Sequence, residues 1–211
     1  MDTFTKIKGM HDNTARPADE EGLFDVAAEQ AGYFTSAQAY ALGYDWPQLT
    51  YHSKHGKFVR LRRGLYRLRN YPSSPREEVM AAWLAAGKDS AVVSHESALD
   101  LLDLSDVVPD AVHLLVPRTR RYLSSYPGVI LHTTTRPLSS RDIESRNGIK
   151  LTGPMRTILD VAETGTGSEQ VILAIRQARR RGWITESTLL TGAAERSGRV
   201  ADLIAHGLEN N

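Results

Sequence analysis

The most constraining stretch of the chain lies between Gly32 and Asn70. Ala39, Gly43 and Leu49 stand at the spacing of two helices crossing on a tight turn: a small residue where the helices touch, a glycine in the turn, an aliphatic anchor beneath the second helix. Thr35 or Ser36 can cap a helix over Ala37–Leu42, and Asp45 can cap the next, with Pro47 in its first turn where a missing amide hydrogen costs nothing. Gly56 ends that helix. Phe58–Leu61 and Leu65–Leu68 then flank Arg62, Arg63 and Gly64, which reads as two short strands around a glycine turn. A preceding helix over Glu20–Ala31 carries Leu23, Phe24, Ala27 and Ala31 on one stripe and closes at Gly32. Three helices followed by an arginine-tipped hairpin make a winged helix-turn-helix.

Charge is distributed in blocks that agree with this reading. Tyr44–Arg76 holds Lys54, Lys57, Arg60, Arg62, Arg63, Arg67, Arg69 and Arg76 against Asp45 alone, a net +7, although the whole chain sums to +1. Glu77–Val116 reverses to −7, and Pro117–Arg156 returns to +6. A basic block attracts polyanions, and arginine suits bidentate contact with phosphate or guanine. In the third helix Leu49 and Trp46 are expected to face the core, leaving Gln48, Tyr51, Lys54 and His55 outward. Gln48 can read adenine, Tyr51 can meet a thymine methyl or a phosphate, and Lys54 supplies charge. His52 falls three residues beyond Leu49, a position that is usually apolar, so it is read as a half-buried packing residue with DNA contact as the alternative. Lys57 and the wing residues Arg60, Arg62, Arg63 and Arg67 complete the expected DNA-binding set, since no acidic residue lies nearby in sequence to pair the wing arginines.

The remainder reads as a mixed α/β domain. Ser74, Pro75 and Glu77 form a capping box opening a helix that carries Val79, Met80, Trp83 and Leu84 and closes at Gly87. Ala91–Val93 is a short strand, and Ser94 caps a helix bearing Leu99, Leu101 and Leu102. Val112–Val116 and Val129–His132 read as buried strands, Thr152 and Pro154 open a helix through Val161, and the tail from Ser168 is helical with breaks at Gly182 and near Gly198. The fold class is therefore α+β, with a flexible arm over 1–19, the winged unit over 20–72 and the mixed domain over 73–211. At 211 residues the chain has room for two small domains. No apolar run approaches the roughly 20 residues needed to span a bilayer, and Met1–Met10 lacks the apolar core of a signal peptide. A cytoplasmic location without membrane contact is expected.

Catalytic patterns fail one by one. The chain has no cysteine, which removes disulfides, thiol nucleophiles and cysteine-containing zinc sites. Ser94-His95-Glu96 invites a triad reading, yet adjacent residues at a helix start are expected not to face one another, and Leu99 stands where a zincin helix needs its second histidine. Helix capping with a satisfied polar contact is the expected role. A restriction-type nuclease needs an acid two residues before a lysine, but those positions hold Phe4, Lys6, His52, His55, Ala86 and Gly148. Thr164–Ser168 lacks the lysine of a phosphate loop and reads as a linker turn, while Arg179–Arg181 suit the carbonyl end of a helix. No catalytic, cofactor-binding or metal-binding residue is assigned.

Four segments together resemble the AbiEi family, antitoxins of the type IV toxin–antitoxin systems linked to abortive phage infection. They are Arg62-Arg63-Gly64-Leu65-Tyr66-Arg67, Ser94-His95-Glu96-Ser97-Ala98-Leu99, Val116-Pro117-Arg118, and Pro154-Met155-Arg156-Thr157-Ile158-Leu159-Asp160. The resemblance implies a non-enzymatic autorepressor that binds double-stranded DNA at inverted repeats, as two copies on one operator. It also implies a second domain that neutralises a nucleotidyltransferase toxin encoded next door, with or without direct contact. Two other classes stay open on the residues alone: an effector-sensing transcription factor of an unrelated pathway, and a nucleic-acid enzyme using the Ser94–Glu96 cluster.

Overall fold

The computed structural model describes residues 17–120, 127–134 and 138–209. Its N-terminal part comprises α1 (Glu20–Ala28), β1 (Tyr33–Thr35), α2 (Ser36–Ala41), α3 (Trp46–Lys54), β2 (Phe58–Arg62) and β3 (Leu65–Leu68). Most of the expected arm, residues 1–16, lies outside the described residues. Its last residue, Asp19, is not part of an arm: its side chain accepts a hydrogen bond from Gly22 N at 2.9 Å and caps α1, while its own amide donates to Leu42 O. Helix α1 stops three residues sooner than expected because Ala31 and Gly32 both turn to positive φ, and Gly32 sits where an added Cβ would meet the Tyr71 ring at 2.5 Å.

Thr35 and Gln38 form a reciprocal capping box on α2, and Asp45 and Gln48 form another on α3. The turn between them places Gly43 at φ +83°, with Ala39 and Leu49 fully buried beneath it. Around them Leu23, Ala27, Phe34, Tyr44, Phe58 and Tyr66 close a small core, in which the Phe34 ring meets Phe58 edge-on at 5.0 Å and stacks on Tyr66 at 5.6 Å. The hairpin gains a third strand, β1. β1 pairs antiparallel with β3, so the sheet order is β1-β3-β2, and Gly64 makes the tip at φ +79°.

The second part is a five-stranded mixed sheet with helices packed on it. α4 (Glu77–Ala86), β4 (Val92–Val93), α5 (His95–Leu102), β5 (Val112–Pro117) and β6 (Val129–Thr134) lead to a hairpin, β7 (Ile143–Arg146) and β8 (Ile149–Thr152), that was not anticipated. The order is β6-β5-β4-β8-β7, with β5–β6 and β4–β8 parallel. Helices α6 (Pro154–Thr164), α7 (Ser168–Arg180), α8 (Glu186–Ala194) and α9 (Gly198–Glu209) follow, the stretch Gly165–Gly167 being the expected linker turn. The predicted Ser74/Glu77 capping box does not form. Arg76 precedes α4 without a side-chain cap, and Glu77 instead accepts a hydrogen bond from Arg67. The main core gathers Met80, Trp83, Leu99, Leu102, Leu114, Leu151, Ile158 and Ile175, and it also takes in Tyr33 and Leu65 from the winged sheet. Among the described residues no helix is long and apolar enough to cross a membrane.

Candidate nucleic-acid interface

Helix α3 lies on the outside of the winged unit, anchored from below by Leu49. Tyr51, Lys54 and His55 are exposed as expected, and the His55 ring stacks on Tyr51 at 3.9 Å. Gln48 is half-buried, and its side-chain oxygen accepts from Asp45 N at 2.8 Å, so its amide NH2 is what remains to donate outward. His52 packs its ring against Phe58 at 5.1 Å and Tyr44 at 6.0 Å, in line with the packing reading. Burial, and then the charge of Lys57, holds its pKa below the ordinary histidine value.

Trp46 departs from expectation. It is not in the core but 63% exposed. As the first residue of α3 its side chain leans back over the preceding turn rather than down onto the core side, and it comes out beside the wing. There Tyr40, Trp46, Arg60, Arg63 and Tyr66 line a groove of about 520 Å³. Sequence reasoning missed Tyr40 and Trp46 as interface residues. The signal was Trp46's place immediately after the Asp45 cap, one step too early to share Leu49's role.

The wing cations divide into two groups. Arg60 and Arg63 are exposed; Arg63 and Lys54 make no ion pair with any described residue, and Arg60 has one long hydrogen bond, to Arg62 O at 3.4 Å. Arg62 is half-buried where the β2–β3 register slips between Arg60 and Arg62. Arg67 corrects the argument that no acid is at hand. It lies across β3 facing the following helix, donates to Glu77 at 3.0 Å and to Pro72 O at 3.1 Å, and stacks over Tyr33. Lys57 forms a solvent-exposed pair with Glu20 at 2.6 Å, which lowers the Glu20 pKa.

The Ser94–Glu96 cluster also departs from its expected form. Ser94 is extended, His95 adopts φ +51°, and this brings Ser94 Oγ within 2.8 Å of His95 Nδ1 in a buried setting. The two adjacent residues do face one another, and Ser94 makes no side-chain cap on α5. Glu96 turns away to accept from Thr166 Oγ1 at 2.9 Å, so no triad is assembled. Nearby, buried Asp160 accepts two hydrogen bonds from Arg156 Nε, at 2.9 and 2.8 Å, and one from Arg196 at 2.7 Å, while Arg196 also bonds Glu163. Arg181, at the end of α7, donates to Leu102 O and Asp103 O at the end of α5, both at 2.8 Å, and so serves the carbonyl end of another helix rather than of its own.

Fold and surface together define a winged helix-turn-helix unit joined to an additional α/β unit. Residues 22–69 match the family described as "Transcriptional regulator, AbiEi antitoxin". Among solved structures, the chain is similar to the crystal structure of the RV2827C protein from Mycobacterium tuberculosis. The TM-score is 0.59 at 15% sequence identity, covering 89% of this chain and 74% of that one. That likeness concerns the fold. No curated protein matches the chain.

Proposed function

We propose that the protein is a DNA-binding autorepressor and an antitoxin of a type IV system, with DNA read by residues 20–72 and a nucleotidyltransferase toxin counteracted by residues 73–211. The single observation that carries the DNA half is the face shared by α3 and the wing. It presents Lys54, Arg60 and Arg63 without acidic partners among the described residues, next to the exposed rings of Tyr40, Trp46 and Tyr51. Helix α3 enters the major groove with Gln48 NH2 and Tyr51 toward base edges, and the wing arginines grip the flanking phosphates. Two copies occupy an inverted repeat upstream of the protein's own gene. Arg67 and His52, committed to internal contacts, contribute by holding the wing and helix in place.

The test is a mobility-shift titration with the upstream DNA, together with co-expression of the neighbouring open reading frame. Sequence-selective binding and rescue of growth from a toxic neighbour support both halves. Binding with no preference for the upstream sequence refutes the repressor half, and a harmless neighbour refutes the antitoxin half. A second reading, an effector-sensing regulator, is favoured by one feature: a cavity of about 850 Å³ lined by Ala28, Tyr71, Met80 and Ile149, between α1, α4 and the β7–β8 turn. A small molecule that releases DNA and whose density fills that cavity would select this reading.

A further inference from the structure

Three imidazoles that lie far apart in the chain meet at one place in the second part of the fold. His95 opens α5, His113 lies on β5 and His132 on its parallel neighbour β6. The register sets His132 opposite Leu115, two residues along from His113, so both strand histidines point to the same face of the sheet. His113 Nδ1 and His132 Nε2 are 3.0 Å apart, the His95 ring stacks on His132 at 3.5 Å, and one ring nitrogen from each of the three falls within 4.8 Å of the other two.

The backbone is strained to make this arrangement. His95 carries a Cβ at φ +51°, a conformation that L side chains rarely adopt, and strain of this kind collects at functional sites. In return Nδ1 of His95 meets the buried Ser94 Oγ at 2.8 Å. In the tautomer in which Ser94 accepts from Nδ1–H, the lone pair of His95 is on Nε2, which has no hydrogen-bond partner among the described residues. This is how a metal-binding histidine is oriented: one nitrogen held by an outer partner, the other left for the ion. The nearby acids Asp160 and Glu163 are taken up by Arg156 and Arg196 and do not compensate charge on the rings. Burial, followed by the neighbouring histidines, pushes the His95 pKa down to about 2. Burial and then His113 push that of His132 to about 4, and burial lowers that of His113.

We propose that His95, His113 and His132 bind a divalent transition-metal ion of the zinc type. An all-nitrogen set suits zinc, nickel or copper and not the oxygen-seeking calcium and magnesium. Zinc–nitrogen bonds of about 2.0–2.1 Å place tetrahedral ligands about 3.3 Å apart, so the 3.0 Å His113–His132 contact opens slightly and the His95–His132 stack tilts apart. The hydrogen now shared between those two rings moves to the outer nitrogen of its own ring, and two dative bonds replace one hydrogen bond with no proton released. A cavity of about 320 Å³, bordered by His95, His132, Thr133 and Thr134, leaves the fourth position to water or an anionic oxygen.

The experiment uses the full chain, stripped with chelator and titrated with Co2+ followed by visible absorption, and with Zn2+ by calorimetry. One equivalent with the intense bands of a four- or five-coordinate ion is expected. His113→Gln and His132→Gln should weaken binding by more than the roughly 10–100-fold expected of Ser94→Ala, which removes only the outer partner. The double variant H52Q/H55Q, at two histidines of α3 outside the cluster, should bind as the unaltered chain does. Because a cluster variant can fail to fold, imidazole signals of the unaltered protein are followed by NMR on Zn2+ addition, and those of His95, His113 and His132 should shift. Substoichiometric binding by the unaltered chain, shifts confined to His52, His55 or His206, or binding lost in H52Q/H55Q and kept in H113Q would overturn the assignment.

Discussion

Replacing Arg60 and Arg63 together by alanine separates charge that reaches DNA from charge that holds the fold. Both side chains are exposed on the wing, and neither forms an ion pair with a described residue, so their removal leaves no buried partner behind. Each lost phosphate contact reduces the slope of log affinity against log salt by about 0.9, and two reduce it by about 1.8. Between 50 and 200 mM salt, a fourfold change, the variant should therefore lose about 12-fold less affinity than the unaltered protein does. Arg67→Ala is the matched control. Its guanidinium is bound to Glu77 and Pro72 O, so the slope should stay put while thermal stability falls. The assay is fluorescence anisotropy with a labelled upstream duplex at five or more salt concentrations, with circular dichroism to confirm folding. An unchanged slope for the double variant, or a slope that drops for Arg67→Ala alone, would refute the division of the wing into DNA-facing and fold-facing cations.

Three further outcomes follow from the geometry. Trp46→Ala should weaken DNA binding with a change in melting temperature of a degree or two at most, on the order of what a surface substitution gives, because the ring is 63% exposed; a large loss of stability would place it in the core after all. Asp160→Ala should destabilise by about 3–5 kcal/mol in denaturant titration, since Arg156 is left as an unpaired buried cation and Arg196 keeps only Glu163; a loss below about 1 kcal/mol would show the network to be solvent-screened. Stability of the metal-free chain should fall as pH drops from about 6.5 toward 4.5, because the unfolded histidines take up protons that folded His95 and His132, with pKa values near 2 and 4, do not. The slope approaches about 1.4 kcal/mol per pH unit for His95 and is smaller for the partly solvent-screened His132, and a flat profile over that range would contradict their burial as neutral bases.

What could be read from the sequence was set by short-range chemistry. Ala39, Gly43 and Leu49 fix the helix crossing, Asp45 fixes where α3 begins, and Gly64 fixes the hairpin tip, each through a conformation or contact completed within a few residues. Features decided by distant partners could not be read in the same way. β1 is three residues long and is a strand only because β3 returns to pair with it, and β7–β8 are four-residue strands set beside a β4 of two. Arg67 has no acid beside it in sequence because Glu77 follows the end of the hairpin and meets it only once α4 folds back. The histidine cluster depends on the parallel register of β5 with β6, which no local pattern announces. Ser94 and His95 were judged by ideal helix geometry, whereas His95 in fact enters α5 through a left-handed residue.

The sharing of Tyr33 and Leu65 between the winged sheet and the larger core has a mechanical consequence. A DNA reader on a free tether can swivel to accommodate half-sites at many spacings, whereas here the reader's sheet forms part of its neighbour's foundation. If two copies sit on one duplex as proposed, their α3 helices are held at a separation set by the protein's own dimensions. Inserting half a helical turn between the half-sites should then unseat one copy outright, where a tethered reader would adjust by bending its linker.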